Sequence, residues 1–320
     1  DGGGGPGALR IHGRTAGENK TLYDPHVNLL RVVTEALSAV LGGCDSLTIT
    51  PCRFDAHLAD NVHRILSEES HLDKVSDPGA GSYYVEWLTD ALAGAAWTLF
   101  EQIQAAGGYT RYRASGELDA ALAASRAAKE KAVASRRRVL VGTNSYPNLR
   151  ERALESADEM PDGWRLASAF EAIRLRTERH AAATGRTPRV LLLERGDLKM
   201  RKVRAAFSQN FFGCAGFEIV HGEALSPADL VVLCSSDPEY PALAAEICPR
   251  AKVPVIVAGN PKDQADALKA AGVADFVHIQ SNAVKVLSRW QDRLGLASAG
   301  DARPPLDPAR GQKGPAPTAA

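Results

Sequence analysis

The sequence has no run of about 18 uncharged apolar residues, so it offers no transmembrane helix. It has no excess charge of either sign: Lys+Arg is 38 and Asp+Glu is 38. That balance argues against a general nucleic-acid or membrane-surface binder, which needs a basic excess. Aromatics are scarce at 6% while apolar residues reach 45%, which implies an aliphatic core in an ordinary globular chain. None of the cysteines (Cys44, Cys52, Cys214, Cys234, Cys248) forms a C-x-x-C pair, and their number is odd. Reduced core thiols in a cytoplasmic protein suit this better than disulfides or a zinc site. The eight histidines show no H-x-x-x-H or H-E-x-x-H spacing, so no metal site is expected. An initiator Met and a signal peptide are also missing from the opening Asp1-Gly2-Gly3-Gly4-Gly5-Pro6-Gly7, so a fragment is expected. This glycine run lacks the strand before it and the Lys-Ser/Thr after it that a phosphate loop needs, and reads as a flexible loop. Residues 300–320, rich in Pro, Ala and Gly, read as a disordered tail.

What is present is an alternation, clearest in the second half. Apolar runs at 190–194, 217–220, 230–234, 253–257 and 274–277 read as strands. Between and after them 199–212, 240–248, 262–271 and 282–294 read as helices, one opened by Pro238 and one closed by Gly272. Strands that are apolar throughout, alternating with amphipathic helices, predict a parallel sheet covered on both faces. Five such units match the flavodoxin-like doubly wound fold. Its ligand crevice lies beyond the carboxyl ends of the first and third strands, here 194–202 and 235–237, with the 258–260 turn beside them. The first half is less regular. Helices are predicted at 28–41, 56–69, 86–106 and 118–137, strands at 46–50 and 139–142, a tight loop at 77–82, and a helical connector at 165–183. This too is α/β, with too few strands to close a barrel.

Several segments resemble a known family in the right order. Asp24-Pro25-His26-Val27-Asn28-Leu29-Leu30-Arg31, Glu68-Glu69-Ser70 and Asp77-Pro78-Gly79-Ala80-Gly81-Ser82-Tyr83-Tyr84-Val85-Glu86 resemble the later barrel strands of the methylmalonyl-CoA mutase family. Val141-Gly142-Thr143-Asn144-Ser145-Tyr146-Pro147-Asn148 resembles the end of that barrel. Gly196-Asp197-Leu198-Lys199-Met200-Arg201 and Asn210-Phe211-Phe212-Gly213-Cys214-Ala215-Gly216 resemble the small subunit of its heterodimeric bacterial members. The resemblance runs from about Leu9 to Gly295. It implies the later part of a (β/α)8 TIM barrel at 1–155, a helical connector at 156–188, a flavodoxin-like domain of the cobalamin-binding type at 189–296, and a tail at 297–320.

In the family, a D-x-H-x-x-G motif follows the first strand of the flavodoxin-like domain. Its His ligates cobalt, its Asp fixes the ligating tautomer, and its Gly lets the backbone approach the corrin. Aligned here, Asp197 remains, Lys199 takes the His position and Lys202 the Gly position. An ammonium has no free lone pair and cannot ligate cobalt. The later S-x-L motif reads Ser235-Ser236-Asp237, with a carboxylate where an apolar residue packs the nucleotide tail, and the Gly-Gly position reads Ala258-Gly259. The resemblance therefore implies a degenerate cofactor site, with no catalytic residue in this chain. The segment 50–57 is also shorter than in catalytic chains and lacks their leucine-proline-threonine stretch. Residues 9–17 keep the family's L-R-x-H-x-x-T-x-G frame, so His12 is either a remnant of acyl-CoA contact or a satisfied strand-end histidine. Glu68-Glu69 and Arg136-Arg137-Arg138 read as solvated helix ends, and Tyr83, Tyr84 and Trp87 as packing of the barrel's outer layer.

The expectation is a structural subunit in a cytoplasmic heterodimer whose homologous large catalytic chain holds adenosylcobalamin and the acyl-CoA. Two other readings stay open. One is an active cobalamin-dependent isomerase with an altered site. The other is a module in which Lys199, Arg201 and Lys202 meet an anionic ligand, such as a CoA ester, at a helix N-terminus.

Overall fold

A computed structural model describes residues 10–75, 77–160 and 163–297. The expectations for the glycine-rich opening and the tail from 298 onward lie outside the described residues. In the first half, β1 (His12–Arg14) precedes α1 (Pro25–Leu41) and pairs in parallel with β2 (Ser46–Thr48). Pro25 sits in the first turn of α1, where its missing N–H costs nothing. Leu29, Val32, Val33, Ala36, Leu37 and Val40 recur at helical spacing, and Val32 and Ala36 are fully buried against Ile49, Ala59 and Val62. The chain leaves α1 through Gly42 and Gly43, the latter at φ +76°. α2 (Ala56–Arg64) is capped by Asp55, whose carboxylate accepts the His57 N–H at 2.8 Å. The helix expected to run on to 69 changes pitch there, and Ile65–Glu69 is a π-helical turn.

α3 (Tyr83–Ala105), α4 (Tyr109–Ala114) and α5 (Glu117–Ala134) follow. α3 starts three residues before the expected 86, and α4 stands where no helix is predicted. No residue of α3 is buried. Tyr83, Tyr84 and Trp87, expected to pack an outer layer, are 95%, 68% and 64% exposed, and Tyr84 and Trp87 meet each other along the same helix.

The expected strand at 139–142 is a turn. Gly142 takes φ +81°, a conformation open to glycine, and its N–H donates to the Ser145 carbonyl at 2.9 Å. A Cβ there would fall 2.7 Å from the Cβ of Asp24. Asn144 is fully buried; its Oδ1 accepts from the Leu140 N–H, and its Nδ2 donates to the Val133 and Arg138 carbonyls. These bonds replace a strand ladder and leave one isolated bridge, Val141 to Ser145. Arg136 also departs from the solvated reading. At φ +58° it lies over Phe207 and Phe211 and donates to Asn210 Oδ1 at 2.9 Å.

The second half forms one five-stranded parallel sheet. In chain order it runs α6 (Ser168–Thr184), β3 (Arg189–Glu194), α7 (Leu198–Gly213), β4 (Glu218–Gly222), β5 (Leu230–Cys234), α8 (Tyr240–Ile247), β6 (Val255–Ala258), α9 (Ala265–Ala270), β7 (Val273–Val277) and α10 (Ala283–Arg293). The strand order is β4-β3-β5-β6-β7, every pair parallel. Period-two alternation between two covered faces explains why 190–193 of β3 and all of the central strands β5 and β6 are apolar. Val190, Leu192, Val232 and Ile256 face one layer with Phe211, Phe212 and Trp290, while Leu191, Leu193, Val231 and Val257 face the other with Tyr240, Ile247 and Leu268. The order reverses direction beside β3, which puts the switch point between the carboxyl ends of β3 and β5. Among the described residues, no helix is long and apolar enough to cross a membrane.

Candidate functional site: the crevice at the ends of β3 and β5

Asp197 follows β3 and begins α7. Its Oδ1 accepts from the Met200 N–H at 2.8 Å, an N-cap that satisfies one of the helix's orphan donors. Its own N–H points across the crevice to Glu239, 3.1 Å from both carboxylate oxygens. On the other side, fully buried Ser235 donates its hydroxyl to Glu239 Oε2 at 2.6 Å. Ser236 donates to the same oxygen twice, from Oγ at 2.6 Å and from N–H at 3.2 Å. Glu239 thus links Asp197 and Ser235, the two ends of the crevice that the sequence singles out.

Asp237 and Gly259 meet a short distance away. Asp237 Oδ1 accepts from Arg204 at 3.0 Å. A Cβ on buried Gly259 would stand 3.2 Å from that oxygen and 3.6 Å from Arg204 Cζ. The Asp237 carboxylate therefore forms an ion pair across the turn with an α7 arginine. Beneath it, the Tyr240 hydroxyl donates to the Ala258 carbonyl at 2.6 Å.

The lysines do not join this group. Lys202 turns to Glu194 at the end of β3, with Nζ 2.7 Å from Oε2. His221 Nδ1 donates to Glu194 Oε1 at 2.6 Å, since a carboxylate can only accept. Burial works to raise the pKa of Glu194, but the Lys202 and His221 hydrogen bonds outweigh it and hold it below the usual carboxylate range. Arg201 pairs with Glu223 at 3.1 Å. Lys199 is exposed and shows no partner among the described residues. The three cations that an anion-binding module would use therefore do not converge: carboxylates of the chain already engage two of them. His12 lies elsewhere, on β1, exposed, with Nδ1 2.7 Å from Ser46 Oγ and Nε2 3.2 Å from Thr48 Oγ1. Both ring nitrogens are engaged by β2.

Sequence reasoning missed Glu239, Arg204 and His221, and it placed Glu194 at the edge of the crevice without assigning it a partner. Glu239 had a signal: Ser236-Asp237-Pro238-Glu239 has capping-box spacing, and both of its reciprocal bonds form. Arg204 had none, because its partner is 33 residues away.

The Ser235 and Ser236 hydroxyls, with the backbone N–H groups, lower the Glu239 pKa to about 2. The folded value is depressed, so its stabilisation is complete above the unfolded value of about 4.3 and is lost as pH falls through the folded one. Urea unfolding followed between pH 5 and pH 2 should show a shallower acid-side loss of stability for Glu239→Gln than for the unchanged chain. Equal slopes would remove Glu239 from the acid response.

The molecule is thus an α/β chain of parallel sheets, with its crevice at a switch point, an Asp capping the start of α7 and a lysine two residues on. The family model for methylmalonyl-CoA mutase matches residues 6–191. The chain belongs to the methylmalonyl-CoA mutase family. It is 38% identical over 328 residues to the methylmalonyl-CoA mutase small subunit of Porphyromonas gingivalis, covering 90% of this chain and 52% of that protein. The small subunit of Streptomyces virginiae is 35% identical over 321 residues, 91% of this chain and 51% of the relative. A methylmalonyl-CoA mutase of Cereibacter sphaeroides is 38% identical over 188 residues, 56% of this chain and 26% of the relative. The chain spans about half the length of the small subunits it matches.

Proposed function

We propose that this chain acts as a structural small subunit of a cytoplasmic, adenosylcobalamin-dependent methylmalonyl-CoA mutase. Its partner is a homologous large catalytic chain, which holds the cofactor and the acyl-CoA and interconverts methylmalonyl-CoA and succinyl-CoA. In this reading residues 1–155 are the later part of a TIM barrel, 156–188 the connector, 189–296 a flavodoxin-like domain of cobalamin-binding type, and 297–320 a tail. The chain itself binds no cobalamin and carries no catalytic residue.

The observation that carries the reading is the composition of the crevice. The cofactor would need a neutral imidazole at the start of α7 and an open groove between β3 and β5. Lys199 offers an ammonium without a lone pair, and the groove holds the Glu239 carboxylate and the Arg204–Asp237 pair. Asp197, which would orient a ligating histidine, is used as an N-cap instead. These residues do not fit the group. The exposed apolar surface of α3 supports the subunit part of the reading, since such a helix belongs inside a larger assembly.

Gel filtration of the purified chain after incubation with adenosylcobalamin tests the reading. The expected result is protein free of corrin absorption in the visible range. Corrin that co-elutes at near one equivalent would overturn it.

A further inference from the structure

We propose that Glu239 is a built-in clamp that keeps the crevice of this chain shut in the absence of any ligand, by tying the turn after β3 to the turn after β5. A doubly wound sheet ordinarily leaves an opening here, because the chain departs in opposite directions from the two strands and their loops splay apart. In this chain a side chain bridges the opening. One oxygen, Glu239 Oε2, receives the Ser235 hydroxyl at 2.6 Å, the Ser236 hydroxyl at 2.6 Å, the Ser236 N–H at 3.2 Å and the Asp197 N–H at 3.1 Å. The first three donors belong to the turn after β5 and the fourth to the turn after β3. Charge-assisted bonds of this kind are about twice as strong as neutral ones.

The fit at Gly196 shows that no space is left between the carboxylate and the opposite turn. Gly196 takes φ +79°, and a Cβ built there would fall 2.2 Å from Glu239 Oε2. A side chain at 196 would therefore displace the carboxylate. A second bridge reinforces the clamp on the β6 side: Arg204 of α7 reaches Asp237 at 3.0 Å, directly over Gly259. Arg204 and Asp237 lie on opposite sides of the same opening, as do Asp197 and Glu239. The crevice is thus crossed twice, by contacts made wholly within the chain. The donors lower the Glu239 pKa to about 2, so the bridging carboxylate is ionised at neutral pH.

The purpose of the clamp rests on the reading that this chain binds no corrin, but its existence does not, and the test uses no corrin. Amide hydrogen exchange in the unchanged chain should show Asp197 and Ser236 protected at least 100-fold over an unstructured peptide, as donors to a seated carboxylate must be. Exchange within ten-fold of the unstructured rate at both amides would overturn the proposal without any variant. In Glu239→Ala, protection at both amides should fall at least ten-fold, while the β3 and β5 amides of residues 191–193 and 231–233 keep theirs. Loss confined to Ser236, with Asp197 unchanged, would mean a local helix cap and not a clamp, and would also overturn it. Should Glu239→Ala fail to fold, Glu239→Gln preserves shape and packing while removing the charge, and the same two amides are read. Corrin exclusion can fail while the clamp stands, and the clamp can fail while corrin exclusion stands, so the two claims are judged separately.

Discussion

At micromolar concentration the chain without a partner will self-associate, and charge placed on α3 will prevent it. A 23-residue helix carrying Tyr84, Trp87, Leu88, Leu92, Trp97, Leu99 and Phe100 with no buried residue is a core element without a core around it. Leu92 and Trp97 are 61% and 63% exposed. The aromatic contacts of the helix run along its own length, Tyr84 to Trp87 and Trp97 to Phe100. Burying a large apolar side chain releases about 1.5–3 kcal/mol, so two such residues account for roughly 3–6 kcal/mol, or about two to four decades of association constant. Sedimentation of the double variant Leu92→Glu, Trp97→Glu should show a monomer at concentrations where the unchanged chain is larger. Because both residues are mostly exposed, the unfolding midpoint of the monomer should hardly move. If the variant lost its fold, or the unchanged chain stayed monomeric at 100 micromolar, α3 would not be an unmet interface. A further expectation belongs to the proposed heterodimer: addition of the large chain should dissolve the self-association, since both use the same surface.

The second sheet was nearly all legible in the sequence, because each of its strands writes the same signal. Residues 190–193 and 230–234 are apolar at every position, which only a sheet covered on both faces requires, and both lie in strands that appear within a residue of expectation. The segment 139–142 carries a similar apolar pattern and misleads. A buried Asn144 and a left-handed Gly142 decide its course, and the Asn partners, Val133, Arg138 and Leu140, all precede it in the chain. The same distinction runs through the crevice. Positions 197, 199, 202, 235, 237 and 259 could be found from motif spacing, and five of them do lie on the turns or helix start that border it. Their partners could not be read off, since the rotamers that send Lys202 to Glu194 and Arg204 to Asp237 are set by what the fold brings near. Spacing put Lys202 at the family's Gly position; in the structure its ammonium turns to Glu194 at the end of β3, and the side chain that bridges the two turns is Glu239.

Arg174→Ala should destabilise the chain by about 3–5 kcal/mol, the usual cost of breaking a buried charged pair from one side. Arg174 lies in α6 at 2% exposure, with its guanidinium stacked on the Tyr23 ring at 4.0 Å. It donates to the carbonyls of Asn148 and Glu151 at 2.6 and 2.8 Å, and its Nε stands 3.8 Å from Glu178. Glu178 in turn accepts from the Tyr23 hydroxyl at 3.0 Å and from the Ala153 N–H at 2.9 Å. One side chain thus fastens the segment before α1 and the segment around 148–153 onto the helix that precedes the second sheet. Burial pushes the arginine pKa down and the Tyr23 phenol up, yet both shifts leave the arginine charged and the phenol neutral at neutral pH. Removing the guanidinium leaves Glu178 buried with a charge that only neutral donors meet. At about 2–4 °C per kcal/mol for a chain of this size, the midpoint of thermal unfolding should fall by roughly 6–20 °C. Arg174→Lys should recover little of this, because an ammonium cannot stack as a plane on Tyr23. Arg174→Ala combined with Glu178→Gln should lose less than the sum of the two single changes, since the stranded charge is gone. A single-variant loss under 1 kcal/mol, or full rescue by lysine, would show that the packing of α6 and not this cation holds the two segments in place.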